Sequence, residues 1–331
     1  MSPGGDDRIG NAILERGVDM DSLVARLRAI AEPSRLRMIA LLSRGELTVS
    51  ELVLVLGQSQ PRVSRHLRLL TEAGIAERLP EGANVYYRLV TEGPSGEISA
   101  FLRSMLPETD PVLRRDRDRL GEIKEARRIA IQKYFDDVSA DWDRIRTLHL
   151  SEKEVEAAIV DAAGSVPVGL LVDVGVGTGR ILEILSDRIQ RGIGIDNNRM
   201  MLNIARINLE NAGIAHCSVR EADVTAIPLP DASADLVTVH QVLHYLTDPG
   251  AAIRECSRVL GPGGRLIIVD FAPHQLEHLR SDFAHRRLGF SDEEMTAWVR
   301  KAGLNMSKRQ TLSAPESDGM LTVKLWVASK V

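Results

Sequence analysis

Gly169-Leu-Leu-Val-Asp-Val-Gly-Val-Gly-Thr-Gly179 is an apolar run that ends in an acid and then in three glycines at alternate positions. The run, Gly169 to Val174, has the length and composition of a buried strand. The glycines let the backbone turn tightly behind it and let a ligand come close to the peptide groups. A Gly-x-Gly-x-Gly alone is weak evidence. Here a strand precedes it and a helix begins near Arg180, which is the context the motif requires. The next strand, Gly192-Ile-Gly-Ile-Asp196, ends in an aspartate 23 residues beyond Asp173. A carboxylate at the end of a second strand is the group that receives ribose hydroxyls. To this point a dinucleotide fold fits equally well.

Three further segments extend the pattern. Val219-Arg-Glu-Ala-Asp-Val224 reads as a third strand ending in an acid suited to an adenine amino group. Asp231-Ala-Ser-Ala-Asp-Leu-Val-Thr-Val-His240 is a fourth strand, introduced by Asp235. These two favour S-adenosylmethionine over a dinucleotide. Arg258-Val-Leu-Gly-Pro-Gly-Gly-Arg-Leu-Ile-Ile-Val-Asp270 then gives a glycine turn and a fifth strand. The whole set resembles class I S-adenosylmethionine-dependent methyltransferases over about residues 134–331, with four motifs in order. That resemblance implies that Asp173, Gly175, Gly177 and Gly179 contact the methionine part of the cofactor. It places Asp196 and Asn197 at the ribose, Asp223 and Val224 at the adenine, and His240 at the sulfonium side. A capping or salt-bridged carboxylate accounts for Asp173 or Asp235 singly, but not for four motifs in register. Gly303 to Leu312 and Leu321 to Ala328 read as a closing hairpin, so a Rossmann-like mixed sheet of seven strands is expected.

The first hundred residues have a different pattern. Asp21 to Ala31 and Pro33 to Arg44 read as helices interrupted at Glu32-Pro33. Thr48-Val-Ser-Glu51 is a capping box opening a helix that stops at Gly57. After a short turn, Gln60 to Ala73 places Val63, Leu67 and Leu70 on one face and Arg62, Ser64, Arg65 and Arg68 off it. Two extended runs, Ile75 to Leu79 and Val85 to Val90, joined by Pro80-Glu-Gly-Ala83, form a hairpin. Helix, tight turn, basic helix and hairpin in that order describe a winged helix-turn-helix whose second helix enters the major groove. An ordinary helical domain with a solvated arginine face would not require that order. Ser59, Gln60, Arg62, Ser64, Arg65, Arg68, Asn84 and Arg88 are the candidate DNA contacts.

Glu46 to Leu52, Gln60 to Gly74 and Val85-Tyr-Tyr-Arg-Leu89 together resemble the arsenic-repressor family of dimeric winged-helix regulators, over about residues 20–106. Members that sense thiophilic metals carry a Cys-x-Cys pair where this chain has Thr48 and Ser50. Hydroxyls are poor ligands for soft metals, and Gly96 to Leu106 contains no His or Cys, so no metal is expected. Ile98, Phe101, Leu102, Met105 and Leu106 recur at helical spacing. They suit either packing on their own domain or the family's dimerisation helix. A dimer implies double-stranded DNA with an inverted-repeat operator.

A chain of 331 residues is long enough for two domains. The expected boundaries are residues 1–107 for the winged helix and 136–331 for the α/β methyltransferase domain. A charged helical connector at 108–135 includes Leu113 to Leu120, read as an exposed helix because it mixes both signs. Tyr134-Phe135 and Trp142 to Ile145 add aromatic bulk there, as core or as cofactor cover. No apolar run reaches the ~20 residues of a membrane span, and Met1 to Gly10 is polar, so a cytoplasmic protein is expected. The net charge of −4 gives no overall pull toward nucleic acid. No lysine precedes Lys124, so any DNA face rests on local arginines. Two distant cysteines, Cys217 and Cys256, make neither a disulfide framework nor a metal pair.

Two functions remain open. His240 and His244 follow the fourth strand, with Tyr245, where an acceptor would meet a methyl group. They are one helical turn apart, as are His274 and His278, and could be bases or metal ligands; a histidine with neither role is commoner. Thr238-Val-His-Gln-Val242 is not the motif that grips planar nucleobase amines, which disfavours a DNA methyltransferase. No Pro-Cys nucleophile occurs, and two cysteines are too few for arsenite methylation. The remaining readings are a methyltransferase on a small acceptor, or a regulator that senses S-adenosylmethionine or S-adenosylhomocysteine. Fused regulators of this type have been associated with S-adenosylhomocysteine and methionine-cycle genes.

Overall fold

The computed structural model describes residues 20–81, 84–91, 93–107, 109–146, 152–283, 285–312 and 321–331, and its contacts divide the chain at Ala126/Arg127. In the first unit, α1 (Met20–Ile30) gives way to α2 (Pro33–Leu42), whose N-cap Glu32 accepts the Arg35 amide at 2.8 Å. The Thr48–Glu51 capping box opens α3 (Val49–Leu56), which ends at Gly57 with φ +63°, a conformation that favours glycine. α4 (Gln60–Glu72) has Pro61 in its first turn, where the missing amide costs nothing. Val63, Leu67 and Leu70 join Met38, Leu41, Leu52 and Val55 in one core.

The wing consists of β2 (Ala76–Glu81) and β3 (Asn84–Leu89). Pro80 and Glu81, expected in the turn, instead pair with Val85 and Asn84, and residues 82–83 lie outside the described ones. Proline is tolerated there because β2 is an edge strand. A third strand that the sequence did not reveal, β1 (Leu47–Thr48), pairs antiparallel with β3 at Tyr87 and Tyr86.

α5 (Gly93–Met105) is followed by α6 (Pro111–Arg146), a single helix of 36 residues. Its first turns are not the exposed connector anticipated from their mixed charge. Leu120 is buried in the core, and Asp116 accepts two hydrogen bonds from Arg37, Nε to Oδ2 at 2.6 Å and Nη2 to Oδ1 at 2.8 Å. Arg119 also donates to the Val55 carbonyl at 3.1 Å. Residues 111–126 thus complete the first unit. The side chains of Tyr134, Phe135 and Trp142 to Ile145 lie outside the described ones.

In the second unit α7 (Glu152–Ala163) precedes β4 (Val168–Val174), α8 (Arg180–Leu185), β5 (Ile189–Asp196), α9 (Arg199–Asn211) and β6 (Cys217–Glu221). Then come β7 (Ala234–His240), α10 (Pro249–Val259), β8 (Leu260–Phe271), α11 (His278–Asp282), α12 (Asp292–Lys301), β9 (Leu304–Leu312) and β10 (Val323–Lys330). The sheet has seven strands in the order β6-β5-β4-β7-β8-β10-β9, parallel except for β10, which runs antiparallel to both neighbours. This is the expected Rossmann-like methyltransferase fold. The central strands are apolar on both faces because clusters built around Leu171 and Leu182 on one side, and Val237 and Trp326 on the other, cover them. Chain progression reverses between β4 and β7, so a crevice opens at their carboxyl ends, where ligands of open α/β sheets bind. No helix among the described residues is long and apolar enough to cross a membrane.

Candidate functional site

The glycine loop is held from below. The amides of Gly175 and Val176 both donate to the Ile195 carbonyl, at 2.7 and 3.0 Å, fastening the loop to β5. Gly175 sits at φ +73°, and a Cβ there would lie 2.1 Å from Val242 Cγ2, so no side chain fits. Gly177, at φ +50°, has nothing within 4 Å of where a Cβ would stand. Its face is open toward an approaching ligand, and its amide donates to Asp196 Oδ2 at 2.9 Å. Asp196 Oδ1 accepts the Asn198 amide at 2.8 Å, so both oxygens are oriented by backbone. Asn197 beside it is exposed.

Asp173 lies beneath the loop, 1% exposed, and accepts a hydrogen bond from the Thr238 hydroxyl at 2.7 Å. Burial pushes its carboxyl up to about 7 from the ordinary 3.8, with the Thr238 bond opposing and the Asp196 charge adding. Asp223 and Val224 fall in the loop after β6, which ends sooner than the sequence suggested. Asp223 is exposed, and the Thr225 hydroxyl and amide on its Oδ1 hold it below the usual carboxylate range. Val224 packs on the core.

His240 closes β7, and His244 lies in a short 3₁₀ turn, Leu243–Tyr245, so the two are not neighbours on one helix as their spacing suggested. The His240 Nε2 is sealed from solvent with no hydrogen-bond partner among the described residues, and burial drives its ring down to about 4. Gln241 next to it adopts φ +56°, an uncommon conformation for a side-chain-bearing residue. His244 is 2% exposed, with Nδ1 2.8 Å from Asp270 Oδ1, and Asp270 is fully buried. The His285 ring lies 4.2 Å from His244 and stacks on Phe271. His274 meets Phe271 edge-on, whereas His278 is exposed. Among the described residues no group of three His, Cys, Asp or Glu could hold a metal. Sequence reading missed Asp270 and His285. The first repeats the strand-ending acid seen at Asp173 and Asp196; the second has no local signal.

Asp173 and His240 titrate in opposite senses. Asp173 keeps its proton in the folded chain, so its stabilisation is present at low pH and fades as pH rises from 3.8 through about 7. His240 stays neutral when folded, so its stabilisation is present above 6.5 and fades as pH falls toward about 4. The two nearly cancel in the wild type. Asp173→Asn should unmask the histidine slope, gaining on the order of 2 kcal/mol over wild type between pH 5 and 7, measured by urea unfolding at both pH values. An unchanged difference would contradict the assignment.

On the winged helix, Ser59, the N-cap of α4, and Gln60, Arg62, Ser64, Arg65 and Arg68 on the helix itself are all exposed, and Asn84 is exposed at the head of β3. Arg68 makes only a loose 3.6 Å contact with Glu72. Arg88 differs from expectation: it is 7% exposed and donates to Glu77 Oε2 at 2.8 Å across the hairpin, so it braces the wing from inside. His66, on the same helix, faces Glu32 at 3.8 Å rather than solvent.

The two units thus define a winged helix-turn-helix and a Rossmann-like α/β domain in one chain. Residues 32–78 match the bacterial regulatory protein arsR family and residues 172–268 match a methyltransferase domain, so the chain carries an arsR-type helix-turn-helix and a methyltransferase-type domain. The chain is 30% identical over 166 residues to a ubiquinone/menaquinone biosynthesis C-methyltransferase of Vibrio parahaemolyticus, covering 47% of this chain and 62% of that protein. It is 31% identical over 104 residues to an uncharacterized methyltransferase of Bacillus subtilis, covering 31% of this chain and 41% of the relative. The chain therefore spans between two fifths and two thirds of the length of these relatives. Among solved structures, the YcgJ protein of Bacillus subtilis aligns with TM-score 0.48 and 20% identity, over 54% of this chain and 99% of that one.

Proposed function

We propose that this protein is a DNA-binding transcriptional regulator whose methyltransferase-type domain binds S-adenosylmethionine or S-adenosylhomocysteine as its signal. The observation that carries this is the coexistence of an exposed arginine row on α4 with an open glycine loop backed by Asp196. The pocket residues suit the nucleoside: Asp196 for the ribose with Asn197 beside it, Asp223 and Val224 for the adenine, and Asp173 and the glycines for the methionine part. Thr48 and Ser50 stand where metal-sensing relatives place cysteines, so the sensing role passes to the attached pocket. Phe101 and Met105 on α5 remain 60% and 64% exposed while Ile98 and Leu102 pack inward, which supports a homodimer through α5. Double-stranded DNA with an inverted repeat would then match the two recognition helices. Such a role belongs in the cytoplasm.

A second reading, methyl transfer to a small acceptor, is favoured by the buried His244–Asp270 pair on the acceptor side of the pocket. S-adenosylmethionine would supply an electrophilic methyl group there. Asp270 fixes the tautomer and orientation of His244, and His240, neutral near pH 7, can accept a hydrogen bond.

The test is fluorescence anisotropy on DNA from upstream of the protein's own gene, at fixed salt, titrating each nucleoside separately. A coupling of ~1–3 kcal/mol between the sites changes operator affinity roughly 5–150-fold. No change with either nucleoside, together with S-adenosylhomocysteine production on some acceptor, would transfer the function to catalysis. Arg65→Ala should weaken DNA binding and lower the slope of log affinity against log salt by about 1. An unchanged slope would remove Arg65 from the phosphate contacts.

A further inference from the structure

The first unit holds a cavity of about 280 Å³ between the end of α2, the end of α5 and the first turns of α6. Its floor is apolar, made by Ala40 and Leu41 of α2, Leu106 just past α5, and Leu113 of α6. Arginines line it from all three segments: Arg44, Arg103 and Arg117. The acid among the described lining residues is Asp116, and both its oxygens are already held by the Arg37 fork. Lys124 adds positive charge close by, its Nζ donating to the Arg44 carbonyl at 2.8 Å. Arg44 and Arg103 stand at helix ends, where cations often answer the last carbonyls. Here their guanidinium groups make no hydrogen bond or ion pair to a described residue, so their donors stay open at the cavity. Apolar floor and open guanidinium donors together fit an organic carboxylate with a compact apolar body. The volume falls just short of the ~300 Å³ at which ordinary ligand pockets begin, so the occupant is small.

The cavity wall is also tied to the helix-turn-helix. Asp116 holds Arg37, whose Nη2 reaches the Leu56 carbonyl at 3.3 Å. Arg119, one turn further along α6, holds the Val55 carbonyl at 3.1 Å. Both carbonyls belong to the last turn of α3, which leads through Gly57 into α4. We propose that this cavity binds a small organic carboxylate, gripped by Arg44 and Arg103 over the apolar floor, and that its occupancy biases the helix-turn-helix. The chain would then take a second chemical input inside its DNA-binding unit, separate from the glycine-loop pocket. The site stands apart from the nucleoside reading; its effect on DNA rests on the regulator reading.

The experiment is calorimetric titration of the full chain with benzoate and hexanoate, each against its uncharged amide, and with inorganic phosphate, which has charge but no apolar body. At least one carboxylate should bind about tenfold more tightly than its amide and than phosphate. Arg44→Gln/Arg103→Gln should remove that preference; both positions are exposed, so the unfolding midpoint should not move. The better carboxylate should also change operator affinity roughly fivefold or more in wild type, and not in the double variant, with ionic strength held constant. If neither carboxylate binds at millimolar concentration, there is no such site. If the amide binds equally well, or the double variant keeps the preference, the arginines are not its recognition element. If phosphate binds as tightly as the carboxylates, the apolar floor takes no part and the ligand class is wrong. If a carboxylate binds but leaves operator affinity unchanged, the input role is wrong. A chain that binds no DNA even without carboxylate overturns the regulator reading instead, and the calorimetry then decides the site alone.

Discussion

Arg37→Ala should cost the first unit about 3–5 kcal/mol, because it strands a buried carboxylate. Asp116 is 1% exposed and both its oxygens are taken by the Arg37 fork, which reaches it across 79 residues of sequence. Removing the guanidinium leaves a charge that must be neutralised or hydrated inside the core. It also removes the 3.3 Å bond from Arg37 to the Leu56 carbonyl. For a unit of this size the loss corresponds to a fall of roughly 10–20 °C in its unfolding midpoint, read by circular dichroism on the full chain. Asp116→Asn, which keeps the shape and one acceptor, should cost less. Equal and small effects from both would mean that the pair is incidental. The same contact predicts that a fragment ending at residue 107 folds poorly, whereas one ending at residue 126 retains its core, Leu120 included.

Asp196→Ala is expected to reduce nucleoside affinity by about 3 kcal/mol, roughly a hundredfold, the value of two charge-assisted hydrogen bonds to ribose hydroxyls. Part of the loss is indirect. Asp196 orients the Gly177 and Asn198 amides, so its removal also frees the open stretch of the glycine loop. Asp196→Asn separates the two effects in part, since its single amide oxygen can still hold one of the two backbone amides but carries no charge. Calorimetry with S-adenosylhomocysteine reads the binding, and the operator assay reads its consequence. If affinity for the nucleoside survives Asp196→Ala, the ribose position lies elsewhere.

Local chemistry made much of this legible in advance. The Thr48–Glu51 box, Gly57, Pro61 and the glycine loop each act within a few residues, and each stands where its pattern placed it. The seven-stranded sheet followed from apolar runs ending in acids, a pattern of β4 and β5 that holds across 23 residues. Long-range partners were invisible. The mixed charges from Arg114 to Arg119 have a solvated appearance until Arg37 claims Asp116. Arg88 resembles a wing contact until Glu77, on the opposing strand, turns it inward. Asp270 had the signature of Asp173 and Asp196, but its role depends on His244, in a turn 26 residues earlier. His285 reaches the cluster from a loop with no periodicity to announce it. β1, at two residues, is too short for any alternation to register.

The two thiols have a consequence of their own. Cys256 is fully buried among apolar side chains, and burial pushes its thiol up to about 12. At pH 7 the reactive thiolate is then about one part in 10⁵. Cys217 is 8% exposed, its sulfur lodged so close to Gly192 that a Cβ there would lie 2.5 Å away. Peroxide, nitrosating agents and electrophilic drugs therefore find no ready thiol on this protein, and the sulfurs within their reach are thioethers such as those of Met20 and Met105. Under oxidative attack neither cysteine offers the starting point of a thiol switch.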